Sequence, residues 1–384
     1  MRASSPFARL ALLWSLMVLA GCTDPYLPEA VQNPPSYLVV DGFINSKGVS
    51  TIKLTRTYSI GAKTAPPVEA KATMYIEEEG GPRYPLAESP AGTYTSTPRT
   101  LNPARRYRLH ISTQTGKEYA TDFAPVNITP RIDDFSWRAT PEGLQFLISA
   151  HNDDPAATRF YRWDYEETWE TIPVLIPTLE YRNLDPIPPG GLFPITTRFP
   201  QICWGNEKSP NIQIVNTTRL TQNAVRDYVV RTLPTTNSRL RHAYSILITQ
   251  SAQSEAEYRY WDLMNKNTEN IGTLFDPQPV QLTGNVHCLN DDAALAMGFV
   301  GVRSVEQQRL FIRRSELPFD WKVSSGYDNC VPDTVILRKE IIQSVFGGGQ
   351  NVPLAYIRGG VLGIDRDCVD CRLHGTTVKP SFWP

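Results

Sequence analysis

From Tyr37 onward the chain alternates apolar and polar residues one for one in short runs, and this period of two limits its fold more than any other feature. In Thr51-Ile52-Lys53-Leu54-Thr55-Arg56 the apolar Ile52 and Leu54 share one face. Ala72 to Glu78 repeats the pattern through Met74 and Ile76, and Arg83 to Ala87 returns with Tyr84 and Leu86 on one side. Turn chemistry closes the runs: Asp41-Gly42, Glu79-Gly80-Gly81-Pro82 and Thr115-Gly116-Lys117. Strands are predicted at Tyr37–Val40, Gly92–Tyr94, Tyr107–Ile111 and Glu118–Phe123 as well. So many short strands with regular turns predict a small β-sandwich. The 32 prolines exclude long helical bundles, and 17 tyrosines and eight tryptophans favour strands.

Pro125 to Pro130 marks a boundary. Beyond it come β runs at Ile132–Trp137, Leu144–Ala150 and Phe160–Thr171, then at Asn211–Leu220 and Ala243–Gln250. Between them, 172–200 is dense in proline and glycine and reads as an excursion over the surface. Ser254 followed by Glu257 predicts a capping box and a helix whose Tyr258, Trp261 and Met264 face a sheet, with Gly272 past its end. Short strands are predicted near Ala296–Val302 and Arg309–Arg313, then a loop through Gly347-Gly348-Gly349. The fold class is therefore mainly β. An immunoglobulin-like or transthyretin-like sandwich over residues 36–128 precedes a larger β-rich domain over 131–384 with one or two helices. No fixed-period repeat is present, which argues against a solenoid or propeller.

Residues 1–21 read as a signal peptide. Arg2 and Arg9 supply the positive start, and Leu10 to Leu19 is an apolar run too short to span a bilayer. It ends in Leu19-Ala20-Gly21-Cys22, which resembles the bacterial lipobox, so lipidation is expected on Cys22. The alternative is an ordinary cleaved signal with Cys22 a plain thiol. Two or more acyl chains give a stable anchor. Residues 22–35, with four prolines, read as a lipidated tether. Removing Arg2 and Arg9 takes the net charge from −1 to −3, and no basic excess argues for nucleic acid.

Further motifs carry a resemblance. They are the helix around Tyr258 and Trp261, Gly272-Thr273-Leu274-Phe275-Asp276-Pro277-Gln278-Pro279, Gly284-Asn285-Val286-His287-Cys288 and Arg309-Leu310-Phe311-Ile312. With them go Cys368-Val369-Asp370-Cys371-Arg372, Lys379-Pro380-Ser381-Phe382-Trp383 and the opening Tyr37-Leu38-Val39-Val40-Asp41-Gly42. Together they resemble a Bacteroidota outer-membrane lipoprotein family known as domain of unknown function 4249. The resemblance covers nearly the whole mature chain and is weakest over 172–210. It implies no established activity. It implies an outer-membrane location and, by association, a TonB-dependent receptor barrel as partner.

An exported chain meets oxidising conditions, so disulfides are expected among Cys203, Cys288, Cys330, Cys368 and Cys371. Five is odd, so one thiol is left over. The favoured bridges run from Cys330 to Cys368 or Cys371, and from Cys203 to Cys288. A redox pair at Cys368-x-x-Cys371 lacks a helix start to activate it. A zinc site with His374, His287 and Cys288 would need four converging ligands. His110, His151, His242, His287 and His374 form no HExxH motif. Glu77-Glu78-Glu79 reads as a solvated edge, and Asn290-Asp291-Asp292 as a polar loop or a weak calcium contributor. Tyr161, Trp163, Tyr165 and Trp169 share one face of a β run. They are either core or an exposed ladder for sugar or protein contact.

No cofactor or metal is expected. The expected function is that of a non-enzymatic envelope lipoprotein, lipid-anchored to the outer membrane with the surface side favoured. It would act as an accessory partner of a TonB-dependent transporter in nutrient uptake, its ligand unspecified. An adhesin or structural module, and a hydrolase whose residues meet only in the fold, are the alternatives.

Overall fold

A computed structural model describes residues 36–59, 62, 64–183, 191–269 and 284–384. The predicted signal peptide, Cys22 with the predicted tether, and Gly272–Pro279 lie outside the described residues. The first part comprises strands β1 (Leu38–Asn45), β2 (Lys47–Gly48), β3 (Thr51–Arg56), β4 (Thr73–Glu78), β5 (Arg83–Glu88), β6 (Thr93–Ser96), β7 (Arg99–Thr100), β8 (Arg106–Ser112), β9 (Glu118–Thr121) and β10 (Ala124–Pro125). The middle comprises β11 (Ile132–Thr140), β12 (Gly143–His151), β13 (Phe160–Thr171), β14 (Leu179–Tyr181), β15 (Leu192–Pro194), β16 (Cys203–Lys208), β17 (Gln213–Asn216), β18 (Ala224–Leu233), β19 (Ala243–Gln253) and helix α1 (Glu255–Glu269). The last part comprises β20 (Val286–Cys288), β21 (Ala296–Met297), β22 (Val302–Arg303), β23 (Val305–Arg313), β24 (Asp333–Val335), helix α2 (Lys339–Phe346), β25 (Asn351–Ile357) and β26 (Gly360–Asp365). The chain is mainly β, as its alternation predicts.

The first core forms inside a sheet that runs β20-β9-β8-β4-β5-β6-β3-β1-β21. Ile52, Leu54, Leu109 and Ile111 alternate inward along their strands and are fully buried. Burial of each such side chain stabilises the sheet by roughly 1.5–3 kcal/mol. The segment 286–303 completes this sheet from the other side of the sequence boundary: β20 pairs antiparallel with β9, and β21 and β22 pair parallel with β1. Its Val286, Val300 and Val302 join the same core. The two ends of the sheet meet where Gly284 crosses Gly298, an approach that a Cβ on Gly284 would block, while a Cβ on Gly298 would collide with the Val40 backbone of β1. Asn285 clasps the seam, its amide donating to the Val300 carbonyl at 3.0 Å and its oxygen accepting from the Val300 N–H at 2.8 Å.

The second core lies between the sheet β11-β12-β18 and the sheet β16-β13-β19-β23, with β17 beside β13. The third is small. The sheet β24-β26-β25 carries α2 on one face through Ile342 and Phe346, against Leu179 and Leu192 of the β14–β15 hairpin. The excursion over 172–200 is thus no bare surface loop but supplies Leu179 and Leu192 to this core.

Helix α1 is capped by Ser254, whose Oγ accepts from the Glu257 N–H at 3.1 Å. The reciprocal half of the predicted box is missing. The Glu257 carboxylate turns instead to Arg303 of β22, in an ion pair that is almost wholly buried. Gly301 makes room for it, since a Cβ there would collide with the carboxylate. The Arg303 guanidinium also stacks 4.1 Å from the Phe43 ring centre. On the helix it is Tyr260 and Glu257 that are buried, while Tyr258, Trp261 and Met264 are half-buried. Among the described residues no helix is long and apolar enough to cross a membrane.

Candidate functional site

Strand β13 determines the chemistry of the middle unit. Its odd positions face the second core: Tyr161, Trp163 and Tyr165 are buried. Their polar atoms find partners inside, Tyr161 donating to Asn223 at 2.9 Å and Trp163 donating to Gln250 at 2.9 Å. The exposed-ladder alternative is therefore corrected for Trp163 and Tyr165. Trp169 is half-buried: it lies over its cross-strand partner Gly205, and the Arg239 guanidinium stacks 4.2 Å from its ring centre.

The next odd position on this strand, Glu167, is an acid at 1 % exposure. Its Oε1 accepts from Tyr244 at 2.7 Å and from Arg231 Nε at 2.9 Å, and its Oε2 is paired with Arg239. Arg239 also pairs with Glu207. Burial, and then the neighbouring carboxylate, raise the Tyr244 pKa well above its ordinary value. Burial opposes the charge on Arg231, but the hydrogen bond to Glu167 outweighs it and raises the Arg231 pKa. Sequence reading missed this network because a lone glutamate in FYRWDYEETWET carries no mark of its partners, which lie 64 to 77 residues away.

Above the network lies a cleft of about 260 Å³ lined by Trp169, Arg239, Arg241, His242, Tyr327 and His374, among others. A second hollow of about 420 Å³ continues it through Glu170, Arg241 and His242 to Arg313 and Trp383. Two disulfides position the far wall. Cys330–Cys368 and Cys203–Cys371 tie the last segment to itself and to β16. Tyr327 and His374 sit three residues from bridged cysteines, and the Cys330 and His374 N–H groups close the turns on Tyr327 and Cys371. Burial, with Asp367 and Asp370 nearby, pushes the Tyr327 hydroxyl up to about 12, and it has no hydrogen-bond partner among the described residues. Burial, then the charge of Arg241, lower the His242 pKa. The result is a donor-rich cleft suited to a carboxylate or hydroxyl group of a ligand.

The Cys330–Cys368 bridge is one of the two predicted for Cys330. The predicted Cys203–Cys288 bridge is not formed: Cys203 bonds Cys371, and Cys288 is a free, half-buried thiol. Strand β20 carries Cys288 into the first sheet, whereas Cys203 opens β16 in the middle unit. The bridges use both cysteines of Cys368-x-x-Cys371 separately, which removes the redox-pair and zinc readings. Among the described residues no group of His, Cys, Asp and Glu is arranged to hold a metal. His287 stands 3.6 Å from Asp122, and His374 stands 3.1 Å from Asp367. Asn290 and Asp291 dock the turn before β9, through the Glu118 N–H and through Lys117. Glu77 and Glu78 are no solvated edge: Glu77 binds Arg83 and Arg108, and Glu78 accepts from Tyr84 at 3.1 Å.

A family model described as Domain of unknown function (DUF4249) matches residues 23–309. The chain belongs to this family. No curated protein matches it. Among solved structures, one titled "Biofilm associated protein - BSP domain" aligns at 7 % identity with a TM-score of 0.14, over 72 % of this chain. The chain spans 59 % of that protein's length.

Proposed function

We propose that this DUF4249 chain is a non-enzymatic outer-membrane lipoprotein, held by acyl chains on Cys22 and favouring the surface side, that docks onto a TonB-dependent transporter barrel and assists nutrient uptake. The observation that carries the reading is where its exposed apolar side chains lie. Scattered apolar residues are normal on a surface. Here many of them fall in the last segment of the chain, with Phe319 at 95 %, Val331 at 72 %, Val378 at 71 % and Leu373 at 59 % exposure, and others in the excursion at Ile176. Exposed apolar side chains concentrated in one segment favour a protein partner. The donor-rich cleft beside it supports a role in handling a polar nutrient.

Deletion of the gene tests the reading. Loss of uptake of one nutrient with unchanged adhesion is the expected result. Lost adhesion with intact uptake would favour the adhesin alternative instead.

A further inference from the structure

Sheets with open edges invite pairing with other chains, and this molecule blunts its edges one by one. Asn285 closes the first sheet. In the middle unit β11 carries an irregularity between Ile132 and Asp134 and an acidic Asp133-Asp134 pair. Strand β18 breaks register twice against β12 and holds Asp227 at a φ of +47°. The outer side of β16 is covered by the tail, where Trp204 and Thr376 exchange backbone hydrogen bonds of 2.8 and 3.0 Å. In the third sheet the Leu354 carbonyl of β25 accepts from Thr178 at 2.8 Å.

Strand β23 is the long, regular edge among the described residues, its Arg309 and Phe311 side chains packed on Phe382 and Trp383 of the tail and its backbone edge left open. It is nine residues long and pairs with β19 in unbroken register from Ser251 opposite Val305 to Ala243 opposite Arg313. The Arg314 N–H extends that ladder to the His242 carbonyl, so the even-numbered residues of β23 bond to β19. The backbone groups of Val305, Gln307, Arg309 and Phe311 therefore turn away from β19, and no partner for them occurs among the described residues. The strand carries no proline or glycine.

We propose that this edge receives β23 of a second copy of the chain, antiparallel, about a two-fold axis through Gln308. In that register Val305 meets the partner's Phe311 and Gln307 meets the partner's Arg309, so the open N–H and C=O groups of both copies bond one another. Within 305–311 no like charges face each other, and the contact is isologous and self-limiting. Self-complementarity of the strand favours a second copy over an unrelated extended segment, which would have to match Val305, Arg309 and Phe311 by chance.

The register places the two copies of Gln308 directly opposite as a pair without mutual backbone bonds, where Cα atoms stand about 4.5 Å apart, within disulfide reach. The test is Gln308→Cys in full-length chain carrying Cys288→Ser, oxidised mildly in native membranes, beside Glu142→Cys in the exposed β11–β12 turn. The expected result is a disulfide-linked dimer at least about ten times more abundant for Gln308→Cys than for the control, since only paired positions satisfy the bond geometry. Adding Gln307→Pro, whose missing N–H faces away from β19, should abolish the cross-link while the variant keeps its membrane yield. Equal cross-linking at 308 and 142, a cross-link from 308 to a different protein, or one that survives Gln307→Pro in folded chain would each overturn the proposal.

Discussion

At the scale of single residues the middle unit depends on Glu167, which occupies a position that the strand pattern reserves for apolar side chains. Two partly buried arginines and the Tyr244 hydroxyl converge on it. Removing one member of such a group leaves the other charges without a partner. Glu167→Ala should cost about 3–5 kcal/mol in equilibrium unfolding, with Glu167→Gln between it and the native chain. Asp370 gives the clearest pH dependence. The Arg372 hydrogen bond holds its carboxyl below the usual range, burial opposes this, and Arg366 adds to it. A folded pKa below the unfolded one contributes stability above the unfolded value, lost as pH falls through the folded value. Asp370→Asn should therefore lower stability at neutral pH and flatten the decline below about pH 4 in acid denaturation.

At the scale of elements, local pattern and long-range pairing differ in how far they can be read from sequence. Ile52, Leu54, Met74 and Ile76 announce β3 and β4 through alternation alone, and Ser254 announces the start of α1. Nothing local announces that β21 and β22 run parallel to β1, because parallel register over more than 250 residues leaves no periodic trace. The same holds for Cys203: loop closure permits many pairings, and spacing does not select Cys371 over Cys288. The disulfides should matter through the unfolded chain. Replacing Cys330 and Cys368 together by serine opens a loop of 38 residues and should cost about 4 kcal/mol on the chain-entropy model. Limited proteolysis should then cut first within 328–374, while β1–β9 stays protected. Leu54→Ala belongs to the other core and should cost about 2–5 kcal/mol in thermal unfolding without loosening the tail.

At the scale of the whole molecule, the proposed function divides the work between acyl chains and apolar surface. On the proposed reading lipid on Cys22 provides attachment: Cys22→Ser should then move the chain from the membrane to the soluble fraction on cell fractionation, since a polar tether by itself gives no bilayer affinity. The same proposal assigns partner choice to the last segment with Phe319, Val331 and Leu373, and contact with cargo to the cleft beside Arg241, His242 and Tyr327. The measurement that tests this division most directly is affinity capture of the lipidated chain from detergent-solubilised outer membranes, followed by identification of what comes with it. A large β-barrel transporter, recovered repeatedly and lost when Phe319, Val331 and Leu373 are changed to serine, is the predicted result. Repeated capture of the intact chain without any barrel would contradict the account.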